Sequence, residues 1–201
     1  MRSLSWKILG VLWATAVIGG MVVVVRYANA PGAPGKPPAD WPARTVLARS
    51  STHGTLVLVV HPHCPCTRAT IAELAKLMSA ADSKLTTHTL FLKPKGMPED
   101  WEKTDLWTNA SNIPGVDVRT DEDGTEAELF GAKVSGQAML YDAAGRLVFR
   151  GGITAARGHQ GDNPGGEAIL SFVRNGTVPS DTSKVFGCSL TEKAPVTTAQ
   201  K

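Results

Sequence analysis

Residues 56–77 limit the possible folds more than any other part of the chain, because an apolar strand leads through a cysteine pair directly into an amphipathic helix. Residues 55–60 are β-branched or apolar, which is typical of a strand that is buried on both faces of a sheet. Apolar residues then recur at helical spacing, which predicts a helix beginning at about Cys66 or Thr67. The thiols of Cys64 and Cys66 are therefore expected where a central strand ends and a helix begins.

The start of a helix is a favourable place for a reactive thiol. Its unpaired backbone N–H groups and the helix dipole stabilise an anion, so a thiol at that place ionises more readily than a free one. His63 and Arg68 lie close to the pair in sequence and should act in the same direction. We therefore expect Cys64 to have a thiol pKa below the usual value.

The amino terminus predicts a membrane segment. Residues 8–25 carry no charge and lie between Lys7 and Arg26. As a helix this run spans roughly 27 Å, close to the hydrocarbon thickness of a bilayer. An uncleaved transmembrane anchor over residues 1–28 is the favoured interpretation, and a signal peptide cleaved near Ala30 is the alternative. Both export the rest of the chain, which predicts a single-pass protein of the bacterial inner membrane whose domain faces the periplasm or the cell exterior.

Charge and composition describe the remainder of the chain. The net charge of +3 comes from Arg2, Lys7 and Arg26, since removing these three from the 21 basic residues leaves 18 against 18 acidic ones. A neutral exported portion without a basic run gives no indication of nucleic-acid binding. Residues 29–43 are rich in Pro, Gly and Ala and predict a semi-extended tether. Residues 44–201 are long enough for one domain with a C-terminal tail.

The order of predicted elements favours an α/β fold. A helix–strand alternation is followed by a hairpin signal at residues 142–145 and a last helix. The predicted strands after residue 60 are 85–92, 116–118, 137–141 and 146–150, and the predicted helices are 101–110, 121–132 with Asp121 as N-cap, and 167–174.

A second polar segment is expected beside the cysteines. If strand 146–150 runs parallel to strand 56–60, its carboxyl end lies at the same edge of the sheet. The loop 151–166 then lies near Cys64, and its Arg157 and His159 would tune the thiolate charge or hold a partner. A plain polar surface loop is the alternative.

The chain has three cysteines, which in an exported domain allow one bridge and leave one thiol free. A bridge between Cys64 and Cys66 would close a small ring stiffened by Pro65, and such a strained bridge is easily reduced. Cys188 lies beyond the last helix, on a tail that could fold back over the cysteine edge. Cys188 is then either a resolving cysteine or a buried, structural residue.

Histidines beside the cysteines also suggest metal binding. His61, His63, Cys64 and Cys66 supply imidazole and thiolate ligands that suit zinc or cuprous copper. The Cys-x-Cys spacing is shorter than in usual zinc sites, so metal binding or delivery is kept as an alternative function. No cofactor is predicted.

The strand-to-helix cysteine motif resembles that of thioredoxin-fold proteins, whose Cys-x-x-Cys motif occupies the same turn. More narrowly, the segments His-Pro-His-Cys-Pro-Cys-Thr-Arg (61–68), Gly-Gly-Ile-Thr-Ala-Ala-Arg-Gly-His (151–159) and Val-Phe-Gly-Cys (185–188) resemble the bacterial RedB-type thioredoxin-like proteins. The broad resemblance covers residues 44–176. It implies a thioredoxin-like central mixed sheet flanked by helices, preceded here by one N-terminal transmembrane helix.

Two departures from the thioredoxin pattern affect the predicted site. With Cys64 as the family's first cysteine, Thr67 falls where the resolving cysteine belongs, and with Cys66 as the second cysteine, His63 falls where the nucleophile belongs. The family's cis-proline is replaced by Gly136, followed by Gln137. Because a cis bond without proline costs about 3 kcal/mol, we expect a trans bond and an altered substrate-docking geometry at these accessory positions.

These patterns together predict a thiol-disulfide exchange protein. Cys64 is expected to attack or hold a partner, with Cys66 or Cys188 as the resolving thiol. The expected partner is an exported protein that bears a thiol or a disulfide. A catalytically silent thioredoxin-like interaction domain is a further alternative.

Overall fold

The computed structural model of the protein describes residues 2–190, with side chains from Trp6 onward. The chain divides between Ala30 and Pro31 into an N-terminal helical unit and a domain that carries the three cysteines. Residues 191–201, the end of the predicted domain, lie outside the described residues.

Helix α1, Arg2–Ala28, forms the first unit. Its segment Trp6–Ala28 has a mean hydropathy of 2.5 and is long and apolar enough to cross a membrane, by length and composition. This agrees with the prediction of an N-terminal helix that has the properties of a transmembrane segment.

The domain is built on a five-stranded sheet with the order β3-β2-β1-β4-β5. The strands are β1 Gly54–Val60, β2 Leu85–Lys93, β3 Val116–Glu122, β4 Gln137–Tyr141 and β5 Leu147–Gly151. β1 pairs in parallel with β2 and antiparallel with β4, while β2 and β3 are parallel and β4 and β5 antiparallel. β5 therefore runs parallel to β1, and both strands end at the edge that carries Cys64.

Alternate residues of β1 face two separate cores. All seven of its residues are buried, as its apolar sequence predicts. Leu56 and Leu58 belong to the core beneath the longer helices, while Val57 and Val59 belong to the core on the opposite face of the sheet. Because β1 is covered on both sides, its carboxyl end has a fixed position, and the chain leads from there to Cys64.

Helices flank this sheet: α2 Pro65–Ala81, α3 Asp105–Ser111, α4 Thr125–Leu129 and α5 Pro164–Asn175. The β1-α2-β2 unit links two parallel strands, and the β4-β5 hairpin followed by α5 completes the domain. The predicted thioredoxin-like α/β fold class is confirmed.

The predicted starts of all four helices in the domain were inaccurate, including that of α5, which begins at Pro164 instead of Glu167. α2 begins earlier than predicted, at Pro65, because proline is well suited to the first helical turn. α3 begins only at Asp105, where the Thr104 side chain accepts a hydrogen bond from the Leu106 amide. Asp121 lies near the end of β3 and is not the N-cap of a long helix, since the short α4 has Gly124 as its N-cap. Its carboxylate nevertheless accepts hydrogen bonds from the Glu126 and Ala127 amides in the first turn of α4.

The segment expected to be a tether contacts the domain from Pro31 onward. The Gly35 amide donates a hydrogen bond to the Gln137 side chain, and the Tyr141 hydroxyl donates one to the Pro38 carbonyl. The Trp41 ring makes an edge contact with the Tyr141 ring at a centroid distance of 5.2 Å. Residues 31–43 contain no helix or regular strand, and they lie along the domain surface instead of leading freely to it.

Candidate active site

Cys64 is the N-cap residue of α2, one residue before the helix begins. Its backbone is extended, with φ −82° and ψ 121°, and Pro65 follows at the first helical position. This brings the Cys64 thiol to the amino end of α2 and to the carboxyl end of the central strand. The residue is only 2% exposed, so the thiol is almost fully enclosed.

The second thiol of the site comes from the end of the chain. The sulfur atoms of Cys64 and Cys188 lie 2.7 Å apart, although 124 positions separate the two residues in sequence. Cys188 is half-buried, and it belongs to an irregular segment of residues 181–190, which we call the C-terminal tail. The structure therefore brings the predicted site cysteines Cys64 and Cys188 together.

Backbone hydrogen bonds hold the C-terminal tail across the sheet edge. At its start, the Arg150 amide donates to the Asp181 carbonyl at 2.9 Å. Near its end, the Ser135 amide donates to the Cys188 carbonyl at 2.8 Å, and the Leu190 amide donates to the Lys133 carbonyl at 2.9 Å. Because these bonds engage both ends of the tail, Cys188 has a defined place beside Cys64.

Close packing adds to these hydrogen bonds. Val185 and Phe186 are buried. A Cβ atom at Gly187 would lie 1.8 Å from the Ser135 carbonyl oxygen, so only glycine allows this approach. The Arg157 guanidinium donates a hydrogen bond of 3.0 Å to the Gly187 carbonyl.

A pair of hydroxyl groups joins the elements around the thiols. The Ser135 Oγ accepts a hydrogen bond from the His61 amide at 2.9 Å and lies 3.0 Å from the Thr67 Oγ1. The Thr67 hydroxyl in turn donates to the His61 carbonyl at 3.0 Å. Ser135 and Thr67 are both nearly inaccessible, and together they connect the end of β1, the first turn of α2 and, through the Ser135 amide, the C-terminal tail.

The loop before β4 has the trans geometry expected from the missing proline. No cis peptide bond occurs in the described part of the chain. Gly136 adopts φ +87° and donates a hydrogen bond of 2.7 Å to the Val59 carbonyl, a conformation that suits glycine. The side chain of Gln137 instead accepts hydrogen bonds from the Gly35 and Lys133 amides.

The three thiols have different proton affinities. Burial opposes ionisation of Cys64, but hydrogen bonds from Cys188 and from the backbone amides of Cys66 and Thr67 outweigh it and lower the Cys64 pKa. For Cys188, burial, together with hydrogen bonding to Cys64 and the charge of that neighbour, raises the pKa to about 12. The first ionised thiol of the pair is therefore Cys64.

Arg157 connects Cys66 to the C-terminal tail. Burial and the charge of Cys64 raise the Cys66 pKa, and the neighbouring Arg157 guanidinium partly opposes this shift. The same guanidinium contacts the Gly187 carbonyl. His159 is more peripheral, because its Nδ1–H donates to the Arg157 carbonyl and its ring is exposed.

His63 and Arg68 line a small surface pocket of about 240 Å³ together with Cys64. Arg68 forms an ion pair with Asp105 at 2.5 Å. The His63 Nε2–H donates a hydrogen bond to the Trp101 carbonyl, and the centroids of the His63 and Trp101 rings are 4.4 Å apart. His63 therefore contacts Trp101 on the segment before α3, and Arg68 contacts Asp105, the first residue of α3.

The histidine and cysteine side chains are not arranged as a metal site. Within residues 2–190, no group of three or more His, Cys, Asp or Glu side chains has a geometry that could hold a metal ion. The His61 Nδ1 accepts a hydrogen bond from the His63 amide. The His61 pKa is lowered, mainly by burial and to a smaller extent by the charge of the neighbouring His63.

Sequence reasoning missed three contributors to this site. Thr67 was identified only as a departure from a motif, and Ser135 and Gly187 had no individual signal. Their contributions depend on backbone approach between distant segments, which a sequence pattern does not reveal. Residues 136–137 and 185–188 stand out in the sequence, but nothing in it indicates that these two regions pair.

No protein-family model and no curated protein sequence matches the chain. A hypothetical protein from Sinorhizobium meliloti 1021 is similar in structure, with a TM-score of 0.59 and 19% identity over 84% of this chain and 100% of that one. An uncharacterized conserved protein from Geobacillus kaustophilus gives the same TM-score and identity over 84% of this chain and 93% of that one. These two likenesses show the fold alone.

A third solved structure is a putative thiol:disulfide interchange protein DsbE from Chlorobium tepidum. Its TM-score is 0.40, with 16% identity over 73% of this chain and 96% of that one.

Proposed function

We propose that the protein is a membrane-anchored, exported thiol-disulfide exchange protein that works through Cys64 and Cys188. The observation that carries this proposal is the 2.7 Å separation of the two sulfur atoms at the amino end of α2. A disulfide requires a closely matched approach of two cysteines, and the backbone contacts of the C-terminal tail supply it here. Cys188 thus takes the part that Thr67 cannot.

The chemistry follows from the unequal thiols. In the reduced protein, Cys64 is the thiolate that forms first, because hydrogen bonds to it outweigh the effect of burial on its pKa. Oxidation of the pair joins the two sulfurs and releases two electrons and two protons to an exported partner that bears a disulfide, and the reverse reaction takes them from a partner that bears thiols. Cys66 lies next to this pair as a third thiol and is the alternative resolving group.

The narrower likeness to RedB-type proteins forms part of this proposal. It is supported by the convergence of the three segments that carry the likeness. Cys64 comes from residues 61–68, Arg157 from 151–159 and Cys188 from 185–188, and all three are linked by contacts at one sheet edge.

The proposed location is the bacterial inner membrane, with α1 as anchor and the domain on the periplasmic or exterior side. Support comes from the length and composition of Trp6–Ala28 and from the positive residues that precede it. Fractionation of cells that express the full chain, with protease added to intact spheroplasts, tests this location. Membrane-bound protein whose domain is digested is expected, and a protected domain would contradict the orientation.

The function is tested by mapping the disulfides of full-length protein purified without reductant. We expect a Cys64–Cys188 bond, a free Cys66, and loss of that bond when the protein oxidises reduced glutathione. A Cys64–Cys66 bond would contradict the proposed pair. A Cys64–Cys188 bond that does not exchange with a small thiol would indicate a purely structural bridge and a silent interaction domain.

A further inference from the structure

The two sulfurs of the proposed pair differ in how easily a partner reaches them. Cys64 is 2% exposed, enclosed by the end of β1, the first turn of α2 and the C-terminal tail. Cys188 is half-buried and lies on the C-terminal tail, which is hydrogen-bonded to the loop before β4. Cys64 borders the surface pocket lined by His63 and Arg68, but Cys188 has the larger exposed fraction, so a partner that approaches from solvent reaches Cys188 more easily.

Access matters because thiol-disulfide exchange is a direct displacement. The incoming thiolate attacks one sulfur and expels the other as a thiolate, so the reaction depends on which sulfur it can reach and on how stable the departing thiolate is. Attack on Cys188 expels Cys64, and attack on Cys64 expels Cys188. In this structure both the access to the attacked sulfur and the stability of the departing thiolate favour attack on Cys188 with expulsion of Cys64.

The departing group is better stabilised at Cys64. Hydrogen bonds from the backbone amides of Cys66 and Thr67 are available to a Cys64 thiolate and contribute to its lowered pKa. Cys188 does not lie at the amino end of a helix, because the C-terminal tail is irregular. Its pKa of about 12 reflects burial and the neighbouring Cys64 sulfur. Expulsion of Cys64 is therefore the easier of the two displacements.

We propose that Cys188 is the cysteine that forms the mixed disulfide with the partner, and that Cys64 is the thiolate expelled from the internal bond. This inference rests on the proposed function and assigns the roles within it. The helix-start cysteine, expected from sequence to be the attacking residue, becomes the internal partner. The tail cysteine becomes the group that a substrate contacts.

The exchange balances without a further reactant. A partner thiolate attacks the Cys188 sulfur, a partner–Cys188 disulfide forms, the Cys64–Cys188 bond breaks, and Cys64 leaves with the electron pair. A second thiolate of the partner then attacks the partner sulfur and expels Cys188, which takes up a proton. The partner dithiol loses two electrons, and the internal disulfide of this protein gains them.

The contacts around the tail suit this order of events. The Gly187 carbonyl accepts from Arg157, and the Cys188 carbonyl accepts from the Ser135 amide. These bonds hold the backbone on both sides of the Cys188 side chain. The tail therefore does not have to leave the domain before a partner thiolate reaches the Cys188 sulfur.

The test uses the oxidised full-length protein and a limiting amount of reduced glutathione. The reaction is quenched with acid at the shortest accessible times, free thiols are alkylated, and the peptides are mapped by mass spectrometry. We expect at least about tenfold more glutathione on Cys188 than on Cys64, with the alkyl label on Cys64. The same experiment in a Cys66→Ser background prevents migration of glutathione through the third thiol.

Glutathione found mainly on Cys64, or equally on both residues at the earliest time in the Cys66→Ser protein, overturns the assignment and leaves the proposed function intact. Oxidised protein that forms no glutathione adduct overturns the proposed function together with the assignment. An adduct on Cys188 that later moves to Cys66 only in the wild type supports the assignment, because Cys188 is still the first residue attacked.

Discussion

The two halves of the candidate site are constructed differently. The Cys64 half lies between β1, all of whose residues are buried, and the 17-residue helix α2. The Cys188 half lies on the C-terminal tail, which has no helix or regular strand and is held by backbone hydrogen bonds to loops. Cys64 is thus held in place by the core of the domain, and Cys188 by backbone hydrogen bonds between the C-terminal tail and the edge of the sheet.

This difference suggests that the two halves have different stabilities. A core strand opens only when the domain unfolds, whereas an irregular segment held by a few contacts opens locally at a lower free energy. The tail can therefore loosen while the Cys64 half stays folded. Variants that affect each half separately would test this comparison.

The largest expected effect is on activity, where both halves should be equally necessary. Cys64→Ser and Cys188→Ser should each reduce oxidation of a dithiol peptide to the uncatalysed rate, because each removes one sulfur of the proposed reacting pair. Turnover of a fluorogenic dithiol substrate measures this. Full activity in Cys188→Ser, lost only when Cys66 is also replaced, would assign the pair to Cys64 and Cys66 instead.

In stability the two halves should differ. Leu58→Ala, in β1, should lower the free energy of unfolding by about 2–5 kcal/mol, because it leaves a cavity in the core. Phe186→Ala, on the tail, should lower it by less than half as much and instead increase hydrogen exchange of the tail amides. Denaturant unfolding and amide exchange provide the two measurements. Equal losses of unfolding free energy would show that the tail is part of the cooperative core.

Thr67→Val tests the hydroxyl contacts that join the halves. Valine keeps the shape of threonine but leaves the Ser135 Oγ and the His61 carbonyl without this partner, at an expected cost of about 1–3 kcal/mol. Thr70→Val is the matched control, since the Thr70 hydroxyl bonds only weakly to a carbonyl of its own helix. If denaturant unfolding gives the same small loss for both variants, the connection between the halves does not depend on Thr67.

Gly187→Ala should weaken the tail alone. Its added Cβ would collide with the Ser135 carbonyl, and overpacking of this kind costs about 1–3 kcal/mol. We expect slower formation of the Cys64–Cys188 bond during air oxidation, with little change in the unfolding of the reduced domain. Lys184→Ala, an exposed change on the same tail, should leave the oxidation rate unaltered. Unchanged oxidation in Gly187→Ala would show that Cys188 does not need this docked position.

The smallest expected effect is a change in acidity. Burial raises the Cys64 pKa in the reduced protein, but hydrogen bonds lower it by more. The hydrogen bond from Cys188 is the largest contribution that lowers the pKa. Cys188→Ala should therefore raise the Cys64 pKa, so that the thiolate appears at higher pH. Ultraviolet thiolate absorbance against pH, in a Cys66→Ser background, measures this shift. A lower pKa in Cys188→Ala would show that enclosure by the tail matters more than its hydrogen bond.

The sequence by itself determined the Cys64 half of the site. The run of apolar residues 56–60 and the helical spacing of apolar residues after Cys66 predict the β1–α2 junction, because strand burial and helix periodicity are local properties of residue order. Local order also predicted the β4–β5 hairpin, and from it the edge of the sheet where Arg157 lies. Element ends were less accurate, as Asp121 shows, because capping depends on the backbone that surrounds a carboxylate.

Only the tertiary structure decided what completes the site. The sequence left both a resolving and a structural role open for Cys188. It gave no indication that the Ser135 amide would donate a hydrogen bond to the Cys188 carbonyl. The pairing of the tail with the loop before β4 uses backbone amides and carbonyls, which every residue possesses, so it leaves no mark in side-chain composition. Gly187 is required there because another segment approaches its Cα, and such an approach exists only once the chain has folded.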